Sequence, residues 1–266
     1  MIKLGVNSVL FSGFDFATAV KQIKMAGYDG VEISAIKGMC EHLTLGRKGS
    51  HVSELKQTVA DNGLEFLSME VATLDEERLM LAFEAGGEMG IPIINIASGG
   101  KSNEDEDFDR QTDLLARMAE KAEQFGVTLC CKAHVGGAIY NTASTLRAAR
   151  KIKSPAFGVD LDPSHLYRAS EDPSTAIESV LPWVRHIHIR DCKGRGPSPG
   201  TAPLQACGRG DIDLTKYCKV MVDGSYAGPV CLEVIGAQDL DLIQCAIIAA
   251  ESYGYLNAIL KQLGAR

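Results

Sequence analysis

Short apolar runs rich in β-branched residues recur along the chain, beginning near Ile2, Gly30, Leu64, Pro92, Val127, Phe157, His186 and Pro229. Each is short enough for a strand, and each is followed by a stretch in which apolar residues return with the period of a helix. The helical stretches carry end signals. Phe16, Val20 and Ile23 run to Gly27, and Ser50 precedes Val52, Leu55 and Val59. Leu114, Leu115, Met118, Ala122 and Phe125 end at Gly126, and Leu214, Tyr217 and Val220 end near Gly224. Strand and helix thus alternate eight times at intervals of about 30 residues, the rhythm of a single-domain α/β fold, a (β/α)8 TIM barrel over residues 1–266. A doubly wound open sheet is the competitor. It would need a Gly-rich turn after the first strand to admit a pyrophosphate, and Gly208-Arg209-Gly210 follows a long loop instead. That loop, from Asp191 to Asp211, falls after the seventh strand and is a candidate lid on the C-terminal face.

A barrel builds its active site from the C-terminal ends of its strands, so polar residues there carry the candidate chemistry. The fifth strand ends in Lys132-Ala133-His134 and the sixth in Asp160-Leu161-Asp162-Pro163-Ser164-His165. The seventh reads His186-Ile187-His188-Ile189-Arg190, and the eighth reaches Glu233. Strand side chains alternate faces, so Lys132 shares a face with His134, Asp160 with Asp162, and His186 with His188. Asp162, His188 and Glu233 are therefore expected to converge as metal ligands. Two carboxylates and one imidazole suit Mn²⁺ best, with Mg²⁺ or Co²⁺ as substitutes. Taken singly, each is more ordinarily a cap or an ion-pair partner; together, on consecutive strands, they point to a metal. Lys132, Glu233 and His165 are the catalytic candidates, and His134, Arg190 and Glu70 the substrate-binding ones. Glu32 and Glu41 read first as surface or loop charges, as does Glu70.

Composition narrows the partners. With 27 basic against 34 acidic residues and a formal charge of −7, the chain has no electrostatic footprint for nucleic acid or an anionic membrane. A small-molecule substrate fits better. Lys37, Lys101 and Arg190 are the basic residues that would meet a phosphate, if the substrate carries one. The eight cysteines show no CxxC spacing and several lie in apolar runs, so they are read as reduced, without structural zinc. No secretory signal and no membrane-length apolar segment is evident, and a cytoplasmic protein is expected. A homo-oligomer is compatible with the apolar stretch Ala246-Ile247-Ile248-Ala249-Ala250, which serves equally well as the inner face of the last helix.

Asp162-Pro163-Ser164-His165, His186 to Asp191, Gly208 to Asp213, and Tyr226-Ala227-Gly228-Pro229 leading to Glu233 together resemble the xylose-isomerase-like barrels. That broad set contains sugar isomerases, sugar 3-epimerases, inosose dehydratase and apurinic-site endonucleases. The resemblance implies a divalent metal held by a Glu ending the fifth strand and by residues matching Asp162, His188 and Glu233. Here the chain departs, because Lys132 stands where that Glu is expected. A two-glutamate epimerase mechanism therefore does not carry over intact. Lys132 would serve as a base of lowered pKa, an electrostatic clamp, a Schiff-base nucleophile or a partner of Asp160, and His134 as a replacement ligand or base. The implied function is a metal-dependent isomerase or epimerase working by proton abstraction next to a carbonyl of a sugar, keto-sugar or cyclitol. The alternatives are a dehydratase or lyase acting by β-elimination, and a barrel that has lost catalysis. The endonuclease branch ranks last, since six histidines and an acidic balance do not suit several zincs and a DNA face.

Overall fold

In the computed structural model, which describes residues 1–266, the strands are β1 (Leu4–Asn7), β2 (Gly30–Ile36), β3 (Cys40–Glu41), β4 (Glu65–Glu70), β5 (Ile93–Ala97), β6 (Thr128–Lys132), β7 (Phe157–Leu161), β8 (Val184–Ile189) and β9 (Val230–Leu232). Eight of them pair in parallel, and β1 bonds both β2 and β9, with Gly5 opposite Gly30 on one side and Cys231 on the other. The sheet is thereby closed into the expected barrel, and the barrel strands begin within two residues of the predicted positions. Closure leaves no room for a side chain at Gly5, whose Cβ would fall 2.6 Å from Leu67 Cδ1 and 2.8 Å from Cys231 Sγ. The short β3 turns back antiparallel onto the end of β2, an addition the periodicity does not announce.

The outer layer comprises α1 (Phe16–Ala26), α2 (Ser50–Asp61), α3 (Glu76–Met89), α4 (Asp105–Glu123), α5 (Thr142–Lys151), α6 (Pro163–Arg168), α7 (Pro173–Val180), α8 (Leu214–Asp223) and α9 (Leu242–Gln262). Acidic and amide caps start most of them: Asp15, Asp75, Asn141, Asp172, Asp213 and Asp241 each accept a bond from a first-turn N–H. The connection after β7 breaks into two helices, because Asp172-Pro173 caps a new start just beyond Arg168. One contiguous cluster of 72 buried apolar residues, from Ile2 to Leu260, fills the space between barrel and helices, so the chain is one domain. The two ends of the chain meet: Ile2 N–H donates to Ala265 O at 3.0 Å, and Arg266 binds Ile2 O and the Asp29 carboxylate.

The loop from Asp191 to Asp211 is largely packed down rather than free. The Asp191 carboxylate accepts N–H bonds from Cys192, Gly208 and Ile212. A Cβ on Gly210 would lie 2.2 Å from Asp191 Oδ1, so Gly208-Arg209-Gly210 wraps a carboxylate of its own chain. Residues 193–198 form its longest exposed run, and Arg168 fastens this tip through the carbonyls of Gly196 and Pro197. All eight cysteines are free and buried, and no helix is long and apolar enough to cross a membrane.

Candidate active site

Residues from five barrel strands meet inside the barrel. Asn95 on β5 donates to Glu32 on β2 at 2.6 Å, and His188 on β8 lies between Glu32 and Asp160 of β7. Asp160 also meets His186 at 2.9 Å, whose other ring nitrogen is 2.9 Å from Ser68 on β4. All these side chains are buried, so their polar atoms must find partners within the protein. Burial works against the imidazolium of His188, but Asp160 and Glu32 hold its pKa well above the ordinary value. Burial likewise opposes the charge on Asp160 and on Glu32, and His188 and then His186 outweigh it, keeping both carboxyls low. A charged imidazole flanked by two carboxylates results.

Above this network a cavity of about 350 Å³ opens at the C-terminal mouth, lined by Glu70, Lys132, His134, His165, Arg190 and Glu233 among others, with Pro197 and Ser198 of the loop tip at its rim. Lys132 ends β6 and is only 3% exposed; its Nζ donates to Glu233 Oε1 at 2.9 Å and lies 3.6 Å from Glu70 Oε1 and 3.8 Å from Asp160 Oδ2. Burial penalises the ammonium, yet Glu233, Glu70 and Asp160 together raise its pKa above the usual lysine value. An ammonium so placed is compatible with an electrostatic clamp or a partner of Asp160, whereas a base or a Schiff-base nucleophile requires the free amine. Arg190 lies 2.9 Å from Asp162 Oδ2 and 3.2 Å from Glu233 Oε2, and donates to Ser164 Oγ at 2.9 Å. Asp162 also caps α6 through Ser164 N–H, which explains the Asp-Pro-Ser-His order.

Two titratable side chains that line the cavity each keep one atom free of hydrogen bonds within the chain. Glu70 Oε2 is buried without a hydrogen bond, 3.7 Å from His188 Nε2, and burial pushes its carboxyl up to about 8. His134 donates Nδ1–H to Val135 O at 2.9 Å, and no bond within the chain engages Nε2. Burial, and then Lys132, lower the pKa of His134, so its Nε2 presents a lone pair. His165, packed 4.1 Å from the His134 ring, is held well below its ordinary pKa by burial and by Arg190.

The three expected metal ligands are near one another but are not gathered on one point. Asp162 and Glu233 meet on Arg190, Glu233 also holds Lys132, and His188 offers both nitrogens to carboxylates. Ligand-type atoms within 4.8 Å of one another occur in three other groups: Glu32, Glu70 and His188; Asp160, His186 and His188; and Glu32, His186 and Cys231. Carboxylate and imidazole donors are therefore present. The trio Asp162, His188 and Glu233 does not fit a divalent ion in this arrangement, since a metal-bound imidazole needs a lone pair and His188 spends both nitrogens on carboxylates. Sequence reasoning missed Glu32 and Asn95, reading Glu32 as a surface charge. The signal was its place between Val31 and Ile33, on the strand face shared with Ser34. Glu41, by contrast, is exposed and pairs with Arg78, and Lys37 and Lys101 are exposed.

The fold is shared with solved structures of low sequence identity. A D-psicose 3-epimerase from Clostridium cellulolyticum H10, solved with D-tagatose, superposes with a TM-score of 0.80 at 16% identity, covering 97% of this chain and 99% of that one. The probable 3-DHS dehydratase AsbF from Bacillus anthracis superposes with a TM-score of 0.77 at 16% identity, covering 96% and 99%. In sequence the chain is similar to inosose dehydratase 1 of Bacillus cereus, 19% identical over 224 residues that make up 72% of each protein. A family model described as a xylose isomerase-like TIM barrel matches residues 20–253, and the chain belongs to that family.

Proposed function

We propose that the protein removes a proton from the carbon next to the carbonyl of a keto-sugar or cyclitol ketone, and that the enolate so formed expels a neighbouring hydroxyl, making the protein a carbon–oxygen lyase of the dehydratase type. The observation that carries this reading is the pair of groups lining one cavity whose atoms make no hydrogen bond within the chain: the imidazole Nε2 of His134 and the carboxyl Oε2 of Glu70, the latter 3.7 Å from His188 Nε2. A neutral imidazole suits a base, and a carboxyl pushed up to about 8 suits an acid at neutral pH. His134 takes the α-proton, and the electron pair moves onto the carbonyl oxygen. Lys132 and Arg190 face the negative charge developing there, which fixed cations in a water-poor site stabilise better than solvent does. As the carbonyl re-forms, the β carbon–oxygen bond breaks and Glu70 gives its proton to the departing hydroxide, releasing water. The proton on His134 returns to Glu70 through solvent, so the cycle balances.

Similarity to proteins named inosose dehydratase supports the choice of elimination, as does Lys132, which removes one of the two carboxylates a two-base epimerase uses. The isomerase or epimerase outcome expected from the sequence shares the first half of this chemistry and differs in returning the proton to carbon. Incubation with a panel of keto-sugars and inososes in deuterated solvent decides the matter. Elimination is expected to yield an unsaturated ketone with a new ultraviolet band. Deuterium incorporation without that band would turn the assignment to an isomerase, and neither signal with any ketone would defeat both.

A further inference from the structure

Five carboxylates, from Glu32, Glu70, Asp160, Asp162 and Glu233, surround the base of the cavity, a density of negative charge that folding tolerates only with cations inside it. The cation at their centre is covalent. Lys132 Nζ faces oxygens of Glu233, Glu70 and Asp160 at 2.9, 3.6 and 3.8 Å from a side chain that is almost fully buried. Arg190, equally buried, takes the facing oxygens of Asp162 and Glu233 at 2.9 and 3.2 Å. His188 lies between Asp160 and Glu32, with Nε2 3.7 Å from Glu70 Oε2, so both its nitrogens face carboxylates and neither is left to bind an ion among them.

We propose that the Lys132 ammonium is the resident cation of this centre and takes the place of a divalent metal ion there. The carboxylate oxygens that a hard divalent ion would require already face a fixed positive charge, and an ion entering among them would have to displace it. The proposal rests on the reading above in giving Lys132 the task of facing the enolate oxygen. An ammonium offers three N–H donors to carboxylates and substrate oxygens, whereas it provides none of the open coordination positions of a metal. Substrate is then held by hydrogen bonds and charge alone, and the carbonyl oxygen is received by N–H donors from Lys132 and Arg190.

The experiment measures bound Mn²⁺ directly in the purified protein, by electron paramagnetic resonance of the free ion during titration and by elemental analysis after gel filtration. Wild-type protein is expected to take up no stoichiometric Mn²⁺, and its melting temperature is expected to be the same with Mn²⁺ and with a chelator. The K132E variant, which exchanges the ammonium for a further carboxylate, is expected to take up roughly one equivalent of Mn²⁺ and to melt higher with the ion than without it. Uptake of an equivalent by wild type overturns the proposal. So does a folded K132E that binds none, because the position would then not be a cation site. Should K132E not fold, the wild-type titration and melting curves still decide. A panel of ketones that shows no exchange, with the metal pattern as expected, would remove the proposed reaction and leave the cation assignment standing.

Discussion

Glu70 lies at the end of β4, 2% exposed, with one oxygen toward Lys132 and the other 3.7 Å from His188 Nε2 without a hydrogen bond. Desolvation favours its neutral form more strongly than Lys132 favours the charged one, so the carboxyl is pushed up to about 8. If it is the acid, kcat/KM falls as pH rises through about 8, and this alkaline limb disappears in E70Q together with most of the activity; a limb that survives in E70Q would assign it elsewhere. The same shift has a stability side. Between an unfolded-state value of about 4.3 and a folded value near 8 the native protein holds the extra proton, so stability declines as pH rises across that window. Urea unfolding of E70Q is expected to show a flatter dependence there. Residues of this kind were partly legible beforehand. Lys132, His134, His165, Arg190 and Glu233 announced themselves as polar residues closing apolar runs, and all line the cavity. Which cation pairs with which carboxylate was not legible, because it depends on strand stagger around the barrel, which local pattern does not encode.

At the level of elements, the eightfold alternation was readable because each strand and helix carries its own period and its own stop signal. The hidden elements are those fixed by a single contact. The hairpin at β3 rests on Ser34 Oγ donating to Cys40 O, and the split after β7 rests on a proline at a helix start. Capping has measurable weight. Asn141 accepts from Ser144 N–H at 2.9 Å while Ser144 Oγ accepts from Asn141 N–H at 3.2 Å, closing both ends of a capping box at the start of α5. Replacing Asn141 with alanine is expected to lower unfolding free energy by about 1 kcal/mol in a denaturant titration, with activity kept. The loop after β8 is an element of a different sort. Its Gly and Pro content reads as a lid, but Asp191 binds it from within and Arg168 fastens its exposed tip over the cavity rim.

For the molecule as a whole, the candidate site sits at one end of a cylinder and the two chain ends are joined at the other. Charged and polar chemistry gathers at the C-terminal mouth, while the closing seam is made where Gly5 packs against its neighbours with no space for a side chain. At the opposite end Arg266 bonds Ile2 and Asp29, and Ile2 reaches back to Ala265. In a ring of strands so arranged, any strand can serve as the first, and the position of the break in the ring is topologically arbitrary. A permuted chain that joins residues 266 and 1 by a short flexible linker and opens between α4 and β6 is therefore expected to fold to the same far-ultraviolet spectrum and to keep the cavity's chemistry. Loss of cooperative unfolding in that permutant would show that the order of the strands along the chain, and not only the closed ring, is needed to assemble the barrel.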